Sequence, residues 1–310
     1  MISFIIPAFN EQAVIADTLK NITIFAPRDE FEVILVDNGS TDDTASIATN
    51  LGAKVIACDS GTIAAVRNYG VKHSRGDILV FIDADVLLTE SWQKHIQAQI
   101  TELRQQPMLV TGSRCHPPKN KNWFNIHWYQ YMTNQHSGYI NSGHLITSKT
   151  LFDKIGGFTE SLRTAEDHDF CVKAKSAGAE IIPNFELITI HDGYPKTLKQ
   201  FVQRERWHGR EDFESLGTIA TSKVALVAIF NLTFAALALF CSLILLSPIG
   251  IMVYLLAMFV ISQALTTMKF KTINFNLLSH TSLIHFCYFW GRSFAFIDRL
   301  TGKHTKRFRE

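Results

Sequence analysis

The stretch Ile78-Leu79-Val80-Phe81-Ile82-Asp83-Ala84-Asp85 is the most informative part of the chain, because two carboxylates directly follow an unbroken apolar run. A short apolar run of this kind is typical of a buried strand. Side chains alternate along a strand, so Asp83 and Asp85 can converge where the strand leaves the sheet. Unpaired carboxylates are costly to bury, which predicts a nearby cation, an arginine or a hydrogen-bonding ligand. A divalent ion that coordinates phosphate oxygens meets this need, and an ordinary acidic turn is the alternative.

The same alternation of short apolar runs, polar turns and helix-period segments extends from residue 2 to about 190. It predicts an α/β fold, with a mixed but mainly parallel sheet flanked by helices. The predicted strands are Ile2–Ile6, Glu32–Asp37, Lys54–Cys58, Ile78–Asp83, Met108–Gly112, His144–Thr147, Glu180–Pro183 and Leu187–His191. The predicted helices are Glu11–Phe25, Asp42–Asn50, Thr62–His73, Ser91–Gln106, Trp123–Gln135 and Asp167–Ala177.

Polar residues follow several of these strands, at the point where each strand ends. In open sheets of this kind, ligands bind beyond the carboxyl ends of the strands. We therefore expect a binding site at this edge, formed by Asn10, Glu11, Asp37, Asp59, Asp83 and Asp85.

Composition excludes several classes of function. The chain has 310 residues, of which 47% are hydrophobic and 19% charged, and its net charge is +2. No block of Lys or Arg occurs in the first 200 residues, which argues against nucleic acid as a partner. The five cysteines have no C-x-x-C spacing, so we expect reduced thiols rather than a disulfide framework or a zinc site. The opening apolar run is too short for a signal peptide and predicts a core strand.

The composition changes after Lys223. The 45 residues from Val224 to Met268 contain no charge and are interrupted by Ser247-Pro248-Ile249-Gly250. About 20 helical residues cross a bilayer core, so this length predicts a transmembrane helical hairpin, with a buried soluble hairpin as the alternative. Basic residues flank the hairpin, and by the positive-inside rule both of its ends are expected in the cytoplasm. These residues are Arg204, Arg206, Arg210, Lys223, Lys269, Lys271, Lys303, Lys306, Arg307 and Arg309.

A third apolar stretch, from Leu283 to Ile297, contains His285 and Arg292. Its aromatic residues fall at helical spacing on one face, which favours an interfacial helix that lies on the membrane. A third span is the alternative, and it would carry the basic tail outward.

Four further segments of the sequence are informative, three before the Asp-Ala-Asp motif and one after it. They are Ile5-Ile6-Pro7-Ala8-Phe9-Asn10-Glu11, Val36-Asp37-Asn38-Gly39-Ser40-Thr41-Asp42-Asp43-Thr44, Gly61-Thr62-Ile63-Ala64-Ala65-Val66-Arg67-Asn68-Tyr69-Gly70 and Thr164-Ala165-Glu166-Asp167-His168-Asp169. The last three also have plainer interpretations: a strand-to-helix turn, a surface arginine on an amphipathic helix, and acids that favour a helix N-terminus, respectively. Ser40 and Asp43 have the spacing of a capping box for the helix that follows.

Taken in order, these motifs resemble glycosyltransferase family 2, whose GT-A (Rossmann-like) fold uses a nucleotide-sugar donor and a divalent metal. The resemblance covers about residues 1 to 215. It implies that the donor nucleotide is bound by Pro7, Ala8, Asn10, Glu11, Asp37, Arg67, Asn68 and Asp83.

The resemblance places the metal, Mg²⁺ or Mn²⁺, at Asp85, and His191 at the end of the last predicted strand is a candidate further ligand. It also implies an acceptor-side acid motif, in which Asp167 is the expected catalytic base and Glu166 supports it. Asp169 is expected to point elsewhere.

Gln203-Arg204-Glu205-Arg206-Trp207 matches a Q-x-x-R-W pattern of the family's polymer synthases. Gln203, Arg206 and Trp207 lie on one helix face. The resemblance predicts that Arg206 binds the donor diphosphate and that Trp207 stacks on the acceptor sugar. A basic helix on anionic lipid headgroups is the plainer alternative.

The expected protein is a membrane-anchored inverting glycosyltransferase that moves a sugar from a nucleotide donor, a UDP-sugar by family habit, to a lipid-linked or glycan acceptor. We expect it in the inner (plasma) membrane as a multi-pass protein with a cytoplasmic catalytic domain, in contact with membrane lipids and possible partner membrane proteins. The alternatives are a processive polysaccharide synthase subunit, a non-catalytic scaffold with this fold, and a nucleotidyltransferase. The expected domains are a GT-A-like catalytic domain (1–215), a linker with the hairpin (216–268), and an interfacial helix with a basic tail (269–310).

Overall fold

The computed structural model describes residues 1–27, 31–59, 61–119, 122–132, 138–191, 193–213, 215–271 and 275–302. Contacts divide the chain into two compact units. The first contains Met1–Lys119 and Met132–Tyr194, and the second contains Asn120–Tyr131 and Pro195–Glu310. The predicted catalytic domain extends to residue 215 and so includes residues from both units.

The strands all belong to the first unit. They are β1 (Ile2–Ala8), β2 (Phe31–Asp37), β3 (Lys54–Ala57), β4 (Ile78–Ile82), β5 (Val86–Leu88), β6 (Leu109–Gly112), β7 (His144–Ser148), β8 (Glu180–Ile181) and β9 (Thr189–His191). Seven of them form one sheet in the order β3-β2-β1-β4-β7-β6-β8. Strands β3, β2, β1 and β4 run parallel, whereas β7 is antiparallel to both β4 and β6. The predicted mixed, mainly parallel sheet is confirmed.

Strand β1 is buried along its whole length, because both faces of the sheet are covered. Phe4 and Ile6 pack on one side with Trp92, while Ile5 packs on the other side in a cluster that includes Phe81 and Phe158. The helices of this unit are α1 (Ile15–Phe25), α2 (Thr44–Asn50), α3 (Ile63–Lys72), α4 (Glu90–Gln105), α6 (Lys149–Lys154) and α7 (Glu166–Ser176). Because side chains pack on both faces of the sheet, the positions of the strand ends are fixed. The polar residues that follow the strands are therefore fixed as well.

Strands β5 and β9 form a separate antiparallel ribbon. Their register pairs Val86 with His191. The ribbon begins directly after Asp85, so it carries His191 back to the Asp-Ala-Asp turn although the two segments are far apart in sequence.

The second unit is helical where it is described. Its helices are α5 (Trp123–His127), α8 (Leu198–His208), α9 (Leu216–Thr221), α10 (Lys223–Ile244), α11 (Ile249–Phe270) and α12 (Phe275–Thr301), with short 3₁₀ turns at Tyr129–Tyr131 and Glu211–Phe213. Helices α10 and α11 are long and apolar enough to cross a membrane, with mean hydropathies of 2.4 and 2.0. Most of their large apolar side chains are exposed, as at Phe240, Leu246 and Leu256.

All eight predicted strands are present with small changes of boundary, but β5 and α6 are additional elements. The predicted helix Trp123–Gln135 ends at His127, and its last predicted residues lie outside the described part. The Ser40 capping box is wrong: the N-cap residue of α2 is Asp43, and the Ser40 hydroxyl accepts from the Asn10 amide instead. The stretch Leu283–Ile297 lies within the longer helix α12, while residues 303–310 of the basic tail are outside the described residues. All five cysteines are free of disulfides.

Candidate active site

Asp83, Asp85 and His191 form a cluster at the carboxyl end of β4. One ligand atom from each residue lies within 4.8 Å of the others. The Asp85 Oδ1 and His191 Nε2 atoms are 3.1 Å apart, and Asp85 is 4% exposed. Two carboxylates and an imidazole are a donor set that suits a divalent ion such as Mn²⁺, and carboxylates alone suit Mg²⁺. The residues present therefore fit the expected metal.

Arg67 on α3 joins the two acidic motifs. Its Nη2 donates to Asp83 Oδ1 at 2.9 Å, and its Nη1 donates to Glu166 Oε1 at 2.7 Å. Arg67 is 2% exposed, and its Cζ atom lies 5.9 Å from the centre of the Phe158 ring. A planar guanidinium offers donors in fixed directions, so it holds the two carboxylates at a defined separation.

Glu166 and Asp167 begin helix α7, and both are buried. Ser142 contacts both: its hydroxyl donates to Glu166 Oε1 at 3.0 Å, and its backbone N–H donates to Asp167 Oδ2 at 3.3 Å. The other Asp167 oxygen accepts from the His168 amide at 2.7 Å. Asp169 points elsewhere, since it accepts from Thr159 Oγ1 at 2.6 Å.

Ala165, immediately before this acidic pair, has left-handed backbone angles (φ 57°, ψ 18°). A residue with a Cβ atom rarely adopts this region, and doing so costs about 1 kcal/mol. The strained residue turns the chain directly into α7, so that both carboxylates enter the first turn of that helix. Local strain of this kind is commonly found at functional sites.

Burial, and to a lesser extent the charge of Glu166, raise the pKa of Asp167 to about 7. The amide of His168 and the charge of Arg67 act against this rise. A carboxyl group with a pKa near neutrality can accept a proton and release it again at physiological pH.

The loops after β1 and β2 are held together by hydrogen bonds. Asn10 Oδ1 accepts from the Thr41 amide at 2.8 Å, and the Glu11 amide donates to Thr44 Oγ1 at 2.8 Å. Asp37 Oδ1 accepts from the Ser40 amide at 3.2 Å. Pro7 and Ala8 lie in β1, where Ala8 pairs with Asp37. The predicted donor residues of these two segments are thus adjacent, and their binding roles stay predictions.

Asn68 lies next to Arg67 but is engaged with a different loop. Its side-chain amide donates to the Phe158 carbonyl at 2.8 Å and to Glu160 Oε1 at 2.9 Å, and its Oδ1 accepts from the Phe158 amide. These bonds fix the loop before α7, and the nucleotide contact of Asn68 stays a prediction.

The Q-x-x-R-W residues belong to the second unit. Arg206 forms a two-point ion pair with Asp298 of α12, in which Nε donates to Asp298 Oδ2 at 2.6 Å. Gln203 is exposed, and Trp207 is covered by Arg210, whose Cζ lies 4.8 Å from the ring centre. The roles predicted for these three residues on diphosphate and acceptor stay predictions.

Sequence reasoning missed the loop Asn141-Ser142-Gly143. Besides the contacts of Ser142, Gly143 lies against Asp83, so that an added Cβ atom would stand 3.1 Å from Asp83 Oδ2. The sequence signal was weak: a small polar pair before a short strand is common in turns.

The family model "Glycosyl transferase family 2" matches residues 3–156, which include Asp83, Asp85 and Arg67. The chain belongs to glycosyltransferase family 2. The mannosyltransferase PcManGT of Pyrobaculum calidifontis, solved with GDP-Man and Mn²⁺, shares the GT-A fold at a TM-score of 0.57 and 17% identity, covering 93% of this chain and 87% of that one.

Two similar transferases match shorter regions of the chain. The poly(ribitol-phosphate) beta-N-acetylglucosaminyltransferase TarS of Staphylococcus aureus is 30% identical over 115 residues, which are 35% of this chain and 20% of TarS. The undecaprenyl-phosphate 4-deoxy-4-formamido-L-arabinose transferase of Pseudomonas fluorescens is 33% identical over 98 residues, which are 27% of this chain and 28% of that protein. The chain thus spans less than a third of the length of these two relatives.

Proposed function

We propose that this family 2 member is a metal-dependent, inverting glycosyltransferase. It takes a sugar from a nucleotide donor, a UDP-sugar, and passes it to a lipid-linked or glycan acceptor at the cytoplasmic face of a membrane. The observation that carries the proposal is the bridge made by Arg67, which joins Asp83 of the Asp-Ala-Asp motif to Glu166 of the acidic pair. The buried guanidinium of Arg67 thereby holds a carboxylate of the proposed donor side, Asp83, close to one of the proposed acceptor side, Glu166.

Printed names of similar proteins support the substrate classes. PcManGT was solved with a nucleotide-sugar and Mn²⁺, and the Pseudomonas fluorescens relative is named for a lipid phosphate. Two helices able to cross a membrane follow the catalytic region, which suits an acceptor that is itself embedded in the bilayer. We place the hairpin in the inner (plasma) membrane of the cell with both ends in the cytoplasm.

Asp85, His191 and Asp83 would hold the divalent ion beside the donor diphosphate. When bound, the ion supplies Lewis-acid stabilisation of the charge on the departing nucleoside diphosphate. The protein's own part is to orient the carboxylates: Arg67 holds Asp83, and the ribbon of β5 and β9 holds His191 next to Asp85. Asp37, Asn10 and their neighbours would contact the nucleoside.

Asp167 is the base in this proposal. It takes the proton from the acceptor hydroxyl while that oxygen forms a bond to the anomeric carbon and the bond from this carbon to the diphosphate oxygen breaks. Attack from the side opposite the leaving group inverts the anomeric configuration. Glu166 stays ion-paired with Arg67 and keeps Asp167 in a pocket from which water is largely excluded.

The test is a screen of nucleotide-sugars for release of nucleoside diphosphate by membranes that contain the full chain, with Mn²⁺ or Mg²⁺ and after chelation. Asp85→Ala and Asp167→Asn should each lower turnover at least ~10³-fold. Matched controls are Asp77→Ala, at the opposite end of β4, and Asp169→Asn, on the same helix as Asp167 but paired with Thr159.

Chelation should abolish release of the diphosphate, and added Mn²⁺ should restore it. Normal turnover by either site variant, while the controls are also normal, would contradict the assigned roles. Metal-independent turnover would contradict the role of the cluster.

A further inference from the structure

Helix α12 packs along the hairpin of α10 and α11, and its contacts reveal its direction. Near its start, Thr281 Oγ1 accepts from Thr266 Oγ1 at 2.8 Å, and the ring of His285 lies 3.1 Å from Ser262 Oγ. Thr266 and Ser262 belong to the second half of α11. The beginning of α12 therefore lies at the open end of the hairpin, away from its turn at residues 245–248.

The far end of α12 contacts the other helix of the hairpin at the same end. Ser293 Oγ accepts from Asn231 Nδ2 and donates to the Ala228 carbonyl, both at 3.0 Å. Ala295 packs against Ala225 and Ala228, in the first two turns of α10. The first turns of α10 and the last turns of α11 both lie at the open end, because the two helices are antiparallel and joined at the opposite end.

These contacts show whether α12 lies across α10 and α11 or runs alongside them through the membrane. From Thr281 to Ala295 a helix rises about 21 Å at 1.5 Å per residue. A helix antiparallel to α11 would be carried by that rise to the hairpin turn, near residue 252. Phe289 of α12 packs with Tyr254 and Met258 in the middle of the hairpin, and Ala295 then contacts the open end of α10, so α12 crosses the hairpin from α11 to α10.

Two charged residues of α12, Arg292 and Asp298, pair with residues of α8 and of the turn that follows it. Arg292 donates to Glu205 Oε2 at 2.8 Å and to Asp212 Oδ2 at 3.3 Å, and Asp298 pairs with Arg206. We call these five residues the α8–α12 ion-pair cluster. Charged groups within the hydrocarbon core of a bilayer are costly even when they are paired, whereas at the boundary water remains near. Leu283 and Leu300, by contrast, are exposed apolar residues of α12.

We propose that α12 does not cross the membrane but lies across the cytoplasmic end of the hairpin, at the boundary of the bilayer, held there by the α8–α12 ion-pair cluster. This rests on the proposed membrane position of α10 and α11. Its partner is the headgroup and upper acyl region of the lipid. The segment that matches Q-x-x-R-W is then, through Glu205 and Arg206, the anchor of a membrane-surface helix.

The first experiment determines the side of the membrane reached by the C-terminus. The full chain carries a fluorescent protein that matures only in the cytoplasm or, separately, an alkaline phosphatase that is active only outside it, each after Glu310. A third version carries an epitope between Ser247 and Pro248, probed by antibody on intact spheroplasts. We expect a fluorescent fusion, an inactive phosphatase and an accessible epitope.

An active phosphatase and a dark fluorescent fusion, together with an accessible epitope, would overturn the proposal for α12 and leave the hairpin intact. An inaccessible epitope in a folded protein would instead overturn the membrane position of the hairpin. Neither result bears on sugar transfer, so failure here is separate from failure of the proposed enzymatic function.

The second experiment tests the ion-pair cluster. Arg206→Asp should lower the melting temperature of the detergent-purified protein by roughly 5–10 °C, because it leaves Asp298 facing a like charge. The exchanged pair, Arg206→Asp with Asp298→Arg, should recover at least half of that loss. A cluster that does not hold α12 would give additive losses in the double variant, and that result would overturn the anchoring role.

Discussion

The candidate active site and the α8–α12 ion-pair cluster are both built from arginines and carboxylates, but their charges balance differently. At the site, Arg67 pairs with Asp83 and Glu166, Asp85 lies beside His191, and Asp167 follows Glu166 in the first turn of α7. In the ion-pair cluster, Arg206 and Arg292, with the adjacent Arg204, face Glu205, Asp212 and Asp298. The candidate active site has more carboxylates than positive groups, so it can bind a cation and take up a proton. In the ion-pair cluster the charges are matched, and they serve to hold helices together.

The largest effect is expected where a balanced pair is broken. Asp298→Ala leaves Arg206 without its partner, and breaking a partly buried pair costs about 3–5 kcal/mol of unfolding free energy. Denaturant unfolding of the purified protein measures this loss. The apolar replacement Arg206→Met with Asp298→Leu should be close to wild type in stability, because neither charge is left alone. An equally unstable double variant would show that the charges themselves are required.

Arg67→Lys should impair turnover more than stability. Lysine keeps the positive charge but has no fork of donors for Asp83 and Glu166 together, so we expect kcat to fall about 100-fold, or about 2.7 kcal/mol in barrier height. Steady-state kinetics on the identified donor measure it. The matched control is Arg75→Lys, at an exposed pair with Glu32, which should be normal. Wild-type kcat in Arg67→Lys would show that the bridge has no role in turnover.

The pH dependence of turnover reports on Asp167. The raised pKa of about 7 means that the basic form is lost as pH falls, so kcat/KM should drop about tenfold for each unit below pH 7. The folded protein binds this proton more tightly than the unfolded chain, so Asp167 lowers stability as pH rises from about 4 through 7. Asp167→Asn should remove that part of the pH dependence in unfolding experiments at pH 5 and pH 8. A flat rate profile from pH 5 to 8 would exclude Asp167 as the base.

The smallest effect is expected at Ser142. Ser142→Ala removes one hydrogen bond to Glu166 but keeps the backbone N–H that donates to Asp167, so a loss of about 1 kcal/mol, or roughly fivefold in kcat, is expected. Ser91→Ala, whose hydroxyl donates to the Glu186 carbonyl, is the matched control. A change in KM alone would assign Ser142 to substrate binding rather than to support of the acidic pair.

The sheet could be predicted because its central strands are buried on both faces. Every residue of Ile78–Ile82 and of β1 is buried, and such strands appear in a sequence as continuous apolar runs. The short strand β5 was missed, since three residues after a turn give no periodicity. Helix α6 is only slightly longer and follows β7 without a break.

The site was only partly accessible to sequence reasoning. The carboxylates were found because they lie at strand ends, and the structure brings Asp83 and Asp85 close to His191, whose role as a ligand stays a prediction. The bridge from Arg67 to Glu166 and the role of Ser142 were not found, because they join segments that are distant in sequence and no local pattern encodes such contacts. The same reason explains why Asp298, the partner of Arg206, could not be identified.

The ribbon of β5 and β9 has a consequence for the order in which the molecule matures. Asp83 and Asp85 leave the ribosome long before His191, so a nascent chain that ends between them has the acidic turn without its imidazole. The proposed metal site is therefore complete only late in synthesis, after the ribbon has formed and shortly before the apolar helices α10 and α11 emerge.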